Sequence, residues 1–290
     1  MTGFTNTIKR YSVAAFYILA LLLGAVVTYL VVKRVVPSGF IFVAASSASL
    51  SGIIITAIAD GKTGLKKLLG RLLIWRARIG YWVFAVLFLV PATLLGLWFS
   101  PLFGGERMDL SNMLPLFQIL PMFIMTIITA GLGEELGWTG FLTPRLQSRY
   151  SALVSSIIRG VLWGLWHFPL FIFSGLDHPL LESFPYSGWV SQYGFVAAMG
   201  AFILLNQITW SIFYTWIFNN TKGSLLLVAI LHGSEVWVGY GQLSTGVNPN
   251  NFDNYWGYGV VMVVSVIVIV LTNGAKNLSR RHERIMHQEA

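Results

Sequence analysis

The chain has 290 residues, of which 56% are hydrophobic and only 10% charged, with a mean hydropathy of +0.70 and a net charge of +8. These values exclude an ordinary soluble domain and a disordered chain, and they define a polytopic membrane protein in which the bilayer is the solvent. No cysteine is present, which excludes disulfides and thiolate metal sites, and the basic excess follows a membrane topology rather than a nucleic-acid surface.

The first apolar run, Tyr11 to Val32, is longer than the core of a signal peptide and has no small-residue cleavage site soon after it. It reads as the first of about eight spans, 11–32, 39–59, 80–100, 114–133, 151–173, 193–218, 224–240 and 256–273. Lys33, Arg34 and "PSG" separate the first two, and Pro101 with "FGGERMDLSN" separates the third and fourth. Residues 60–79 mix leucines at helical spacing with Lys62, Lys66, Lys67, Arg71, Arg76 and Arg78, and read as an amphipathic helix lying on the cytoplasmic membrane surface with its basic face toward anionic headgroups.

Orientation follows from the positive-inside bias. With both termini cytoplasmic, cytoplasmic segments hold fifteen Lys and Arg residues and external segments only Lys33, Arg34 and Arg107. No internal repeat, low-complexity stretch or linker divides the chain. The expectation is therefore one integral membrane domain, residues 1–290, an all-α helical bundle in the cell membrane.

Ionisable residues inside or at the edge of spans are costly and mark functional sites. Glu134, Glu135, Arg159, His167, His232 and Glu235 form that set, all in the second half of the chain. Glu134 and Glu135 follow the fourth apolar run. As neighbours on a helix they point about 100° apart, so one is free for catalysis while the other anchors it. Arg159, Trp163 and His167 recur every four residues and share one helix face, with Pro169 expected to kink the span just beyond. His232 and Glu235 lie on one side of a third helix. Each of these histidines alone reads more simply as a structural hydrogen-bond donor, and Gly137, Gly140, Gly160 and Gly164 as close-packing positions. Two histidines and a tandem glutamate in spans otherwise nearly free of charge favour a site. The loop residues Asp177 and His178, commonplace in water-exposed loops, do not suggest a second metal site beside His167.

A partly dehydrated carboxylate can deprotonate water, and histidines can hydrogen-bond that water, hold a metal or stabilise an oxyanion, so the expected class is hydrolysis. No HExxH occurs, and a metal-free site is as compatible with the spacing as zinc held by His167 and His232.

At these residues the sequence resembles the CPBP family, which comprises type II CAAX prenyl proteases and bacteriocin-processing or immunity proteins and is also called the Abi family. Its pattern, EExxxR, then F/WxxxH, then HxxxN/D, corresponds to "EELGWT" at 134–139, "WGLWH" at 163–167 and "HGSEV" at 232–236. The core of the resemblance is 120–240. It implies an intramembrane endopeptidase, a hydrolase of the glutamic or metalloprotease type, that cuts a membrane-embedded or lipidated peptide. Glu134 would be the base that activates water, Glu135 would support it, and His167 and His232 would complete the site. The chain departs from the pattern at Thr139, where the family has arginine, and at Val236, where it has asparagine or aspartate. Arg159 and Glu235 are the expected replacements for those groups, with Trp163 beside the site. The alternatives are a catalytically degenerate relative that binds a membrane protein or confers bacteriocin immunity, and a proton-coupled carrier, which the missing repeat symmetry disfavours.

Overall fold

A computed structural model of the protein describes residues 2–111, 115, 117, 119–173, 186–280 and 283–287; these are helices and connecting turns, with no strand among them. The loop residues Asp177 and His178 lie outside the described residues. Helix α1 (Thr2–Arg10) leads into α2 (Ser12–Val32). Next come α3 (Ile41–Ala45) and α4 (Ser47–Ala59), a pair bent by 49°, then α5 (Gly61–Gly70). Helices α6 (Ile79–Leu87) and α7 (Leu89–Phe99) form a second pair, bent by 42°. Pro91 contributes to that bend, because it has no N–H to offer the Leu87 carbonyl. Helix α8 (Ile119–Gln147) is 29 residues long, followed by α9 (Ala152–Trp166) and α10 (Phe168–Phe173). The chain ends with α11 (Tyr186–Tyr193), α12 (Phe195–Asn220), α13 (Leu225–Gly233), α14 (Val236–Ser244) and α15 (Asp253–Asn273).

Among the described residues, five helical runs are long and apolar enough to cross a membrane, and up to seven if each bent pair is one span. Their surfaces fit lipid. On α2 the stripe Phe16, Ala20, Gly24 and Thr28 is buried, whereas Ile18, Leu22 and Val26 on the other side are exposed. Val264, Ile267, Val268 and Leu271 of α15 are exposed in the same way. In water these faces would form large apolar patches; in a bilayer they contact acyl chains while every helical backbone group is satisfied internally.

Three elements differ most from the sequence expectation. The fourth span, expected to end at 133, continues to Gln147 and carries Glu134 and Glu135 inside it. The segment 224–240 is not one continuous helix but α13 and α14, broken at Ser234 and Glu235, where the Ser234 hydroxyl turns back to donate to the Leu231 carbonyl at 2.6 Å. The basic segment is helical only to Gly70; a 3-10 turn covers Arg71–Leu73, and the Ser224 hydroxyl donates to the carbonyl of Ile74 where the chain turns extended.

Both ends of the chain lie on one face. Lys9, Asp60, Arg145, Arg149 and His287 line a single surface cavity there. Residues 283–287 are tied to the bundle: Gln147 donates to the Ile285 carbonyl at 2.8 Å, and the Asn219 side-chain oxygen accepts from the Ile285 N–H at 3.1 Å.

Candidate active site

Helix α8 runs through the middle of the bundle because its glycines permit backbone contact. A Cβ at Gly137 would overlap the Ala48 carbonyl of α4, and one at Gly131 would overlap the Ala229 carbonyl of α13. The helix is also irregular. Ile127–Leu132 and Leu136–Leu142 are π-helical, and the single α-turn Gly133–Glu135 lies between them. Each π-turn shifts the phase of the side chains that follow, a feature common where a helix must aim functional groups.

The two glutamates on that turn are 6% and 1% exposed, so each needs a partner, and they take different ones. Glu134 Oε2 accepts from the Trp163 indole N–H at 2.7 Å. Glu135 accepts from Arg159 Nη2, which lies 3.0 Å from both carboxylate oxygens, from His232 Nδ1 at 3.0 Å, and from the Thr139 hydroxyl one turn along α8. Arg159 is wholly buried, with its guanidinium 4.9 Å from the Tyr214 ring centroid and 5.5 Å from that of Trp163. The expected shared face of α9 is present, with Arg159 meeting Glu135 and Trp163 meeting Glu134.

The α9 helix breaks at His167, next to where the kink was expected, because Pro169 leaves the Leu165 carbonyl without its helical donor. His167 Nδ1 donates to the Trp163 carbonyl at 2.9 Å, which leaves Nε2 as the free ring nitrogen. Glu134 and His167 line one cavity of about 120 Å³, whose other walls include Gly24 and Thr28 of α2, Ala44 of α3 and Trp166. The 49° bend between α3 and α4 helps form this space, since Ile41, Ala44 and Ala45 all face it.

His232 does not line that cavity. It stacks on Tyr214 with ring centroids 5.3 Å apart, and the Trp163 ring packs against both it and His167, at 5.4 and 5.9 Å. Its Nε2 is 4.0 Å from Glu235 Oε2. Glu235 in turn lines a separate cavity of about 140 Å³ with Asn206, Gln242 and Trp210. The six ionisable residues thus fall into two groups, Glu134 and His167 around one chamber, and a buried cluster of Glu135, Arg159 and His232 with Glu235 at its edge. Asn206 and Tyr214 escaped the sequence reading; neither ionises near neutrality, and only the packing of α12 against α9 and α13 brings them here.

Among the described residues, no three of the His, Asp and Glu side chains are grouped to hold a metal ion. His167 and His232 each use Nδ1 within the protein, and among the described residues no third ligand is grouped with them, so they do not supply the three or four converging ligands of a zinc site.

Fold and site together define a multi-pass membrane protein with a buried carboxylate–histidine centre. Residues 115–238, which contain every residue of that centre, match the family model described as type II CAAX prenyl endopeptidase Rce1-like. Over this segment the chain is similar to that family, in keeping with the motifs it shares with it. CAAX prenyl protease 2 of Methanococcus maripaludis is 33% identical over 150 residues, 51% of this chain and 51% of the relative. The chain thus spans about half the length of the curated relative it matches.

Proposed function

We propose that the protein is an intramembrane endopeptidase in which Glu134 activates the attacking water. The observation that carries this reading is the shared chamber of Glu134 and His167: it is large enough for water, and it brings a carboxylate and an unengaged imidazole nitrogen to one space inside an apolar bundle. Glu134 takes a proton from water, and the hydroxide adds to the scissile carbonyl. On collapse of the tetrahedral intermediate, Glu134 returns that proton to the leaving amine. The Trp163 N–H fixes the Glu134 carboxylate, and His167 Nε2 orients the water. Glu135, Arg159, Thr139 and His232 act as positioning residues that hold α8, α9 and α13 in register around the base. No step passes through a metal.

The substrate class supported by the fold and by the relative's name is a membrane-embedded or lipidated peptide. The face bearing both termini is assigned to the cytoplasm, supported by its excess of Lys and Arg. The test is cleavage of a prenylated peptide ending in a CAAX-like sequence, together with a library of membrane peptides, by the purified full-length protein and by Glu134→Gln. Cleavage by the first and none by the second supports the assignment. Equal cleavage by both removes Glu134 as base, and no cleavage by either favours a binding role, in keeping with the unmatched motif positions Thr139 and Val236.

A further inference from the structure

The face that carries both chain ends holds a second, larger cavity of about 460 Å³ that shares no residue with the catalytic chamber. It is strongly basic. Lys67, Arg71, Arg145, Lys222 and Arg284 all line it, whereas Asp60 is the one carboxylate in the lining and is already engaged by Arg145 and by His287 at 3.5 Å. Four cations are left there without an acidic partner in the lining. Burial holds the Arg71 guanidinium below its ordinary pKa, as expected for a cation with no carboxylate to offset lost hydration.

The lining itself indicates a ligand rather than an incidental charged surface. Lys67 of α5, Arg71 of the turn after it, Lys222 between α12 and α13, and Arg284 near the C-terminus bring cations from separate parts of the chain into one concave space. Lys222 is in the left-handed backbone region at φ 59°, in the turn between α12 and α13. The same wall contains Leu68, Ile285 and Met286, and the chain leaving α5 exposes Leu69, Leu73, Trp75 and Ile79. Those apolar groups would seat the cavity's rim at the level of the lipid headgroups.

We infer that this cavity binds a phosphate-bearing anion, either the headgroup of an anionic phospholipid or free phosphate. Lys67, Lys222 and Arg284 supply charge, and the Arg71 guanidinium can donate to an anionic oxygen. The lipid form would also place the acyl chains along Leu68 and the exposed apolar rim.

The full-length protein in neutral detergent would be titrated with phosphatidylglycerol, with phosphatidylcholine and with inorganic phosphate, and followed by native mass spectrometry and thermal melting. Lys67→Gln/Lys222→Asn tests the cavity, since asparagine tolerates the left-handed backbone. Lys62→Gln/Lys66→Gln removes the same charge from α5 outside it. The expected result is a loss of roughly tenfold in apparent phosphatidylglycerol affinity for the cavity variant and a change within about twofold for the control. Protection by inorganic phosphate that is lost in the cavity variant also supports the site and identifies free phosphate as sufficient; lipid binding without it identifies the headgroup on its lipid. Equal losses in both variants, or no loss in the cavity variant, overturn the proposal. If the double variant melts early without ligand, Lys67→Gln alone, at an exposed position, repeats the test.

Discussion

Arg159 and Glu135 are 24 residues apart in sequence and 3.0 Å apart in space, fully buried, on the helices that also carry Trp163 and Glu134. The pair therefore locks α8 to α9 one residue away from the candidate base. It also accounts for the unusual motif position: Thr139, one turn beyond Glu135, still hydrogen-bonds to it but brings no charge. The charge comes from the neighbouring helix instead.

Arg159→Met should cost about 3–5 kcal/mol, because it strands a buried carboxylate rather than removing a whole pair. Adding Thr139→Arg to that variant should recover much of the loss, since residue 139 already reaches Glu135 and the vacated volume admits the longer side chain. Thr139→Arg alone should destabilise, as Thr139 is wholly buried and two guanidinium groups would then compete for one carboxylate. Thermal melting of the four proteins in detergent forms a double-mutant cycle. Additive losses would show that the two positions do not substitute for one another.

Glu134→Gln and Glu135→Gln should separate chemistry from structure. Glutamine at 134 can still accept from the Trp163 N–H, so the melting temperature should stay close to wild type while cleavage falls to background. Glutamine at 135 leaves Arg159 buried without a counter-charge and should lower stability by several kcal/mol. A Glu134→Gln variant that melts as early as Glu135→Gln would mean that both carboxylates are structural.

That Glu134 and Glu135 take different partners is legible in the sequence. Two adjacent helical residues cannot share one partner, and the spacing of Arg159, Trp163 and His167 places them on one face; both follow from helix geometry alone. The apolar runs also located the five to seven candidate membrane helices, though not the break within 224–240, because hydrocarbon tolerates few alternatives to helices. What escaped was set by packing between distant segments. The π-turns on either side of Glu134 and Glu135 leave no mark in hydrophobic periodicity. The separation of His232 from the Glu134 chamber depends on where the Trp163 ring sits. The contact of His287 with Asp60 joins two polar segments at opposite ends of the chain, where charge pattern alone does not choose a partner.

Trp163→Phe keeps an aromatic ring against His167 and His232 but deletes the N–H that holds Glu134. A hydrogen bond to a charged acceptor is worth about 1.5–3 kcal/mol, so kcat on a cleavable peptide should fall by roughly ten- to hundredfold with KM little changed. An equal rise in KM with kcat intact would instead place the indole in substrate binding.

Acid should loosen the face that carries both termini. Burial alone would raise the Asp60 carboxyl, but hydrogen bonding and charge from His287 and Arg145 outweigh it and hold the group below its ordinary value of 3.8. Lys9 and Arg149, which line the adjoining cavity, are also cationic. A carboxyl with a lowered folded-state pKa binds fewer protons folded than unfolded. Its stabilising contribution is therefore complete above the unfolded value and is lost as pH falls through the folded one. Melting temperature should decline below about pH 4 in part through this group, and Asp60→Asn should be less stable at neutral pH but show a shallower decline in acid. Since Asp60 holds His287, the variant should also expose the C-terminal segment to protease at neutral pH. Melting curves between pH 3 and pH 7 that run parallel for the two proteins would show that the Asp60 contacts do not contribute to acid sensitivity.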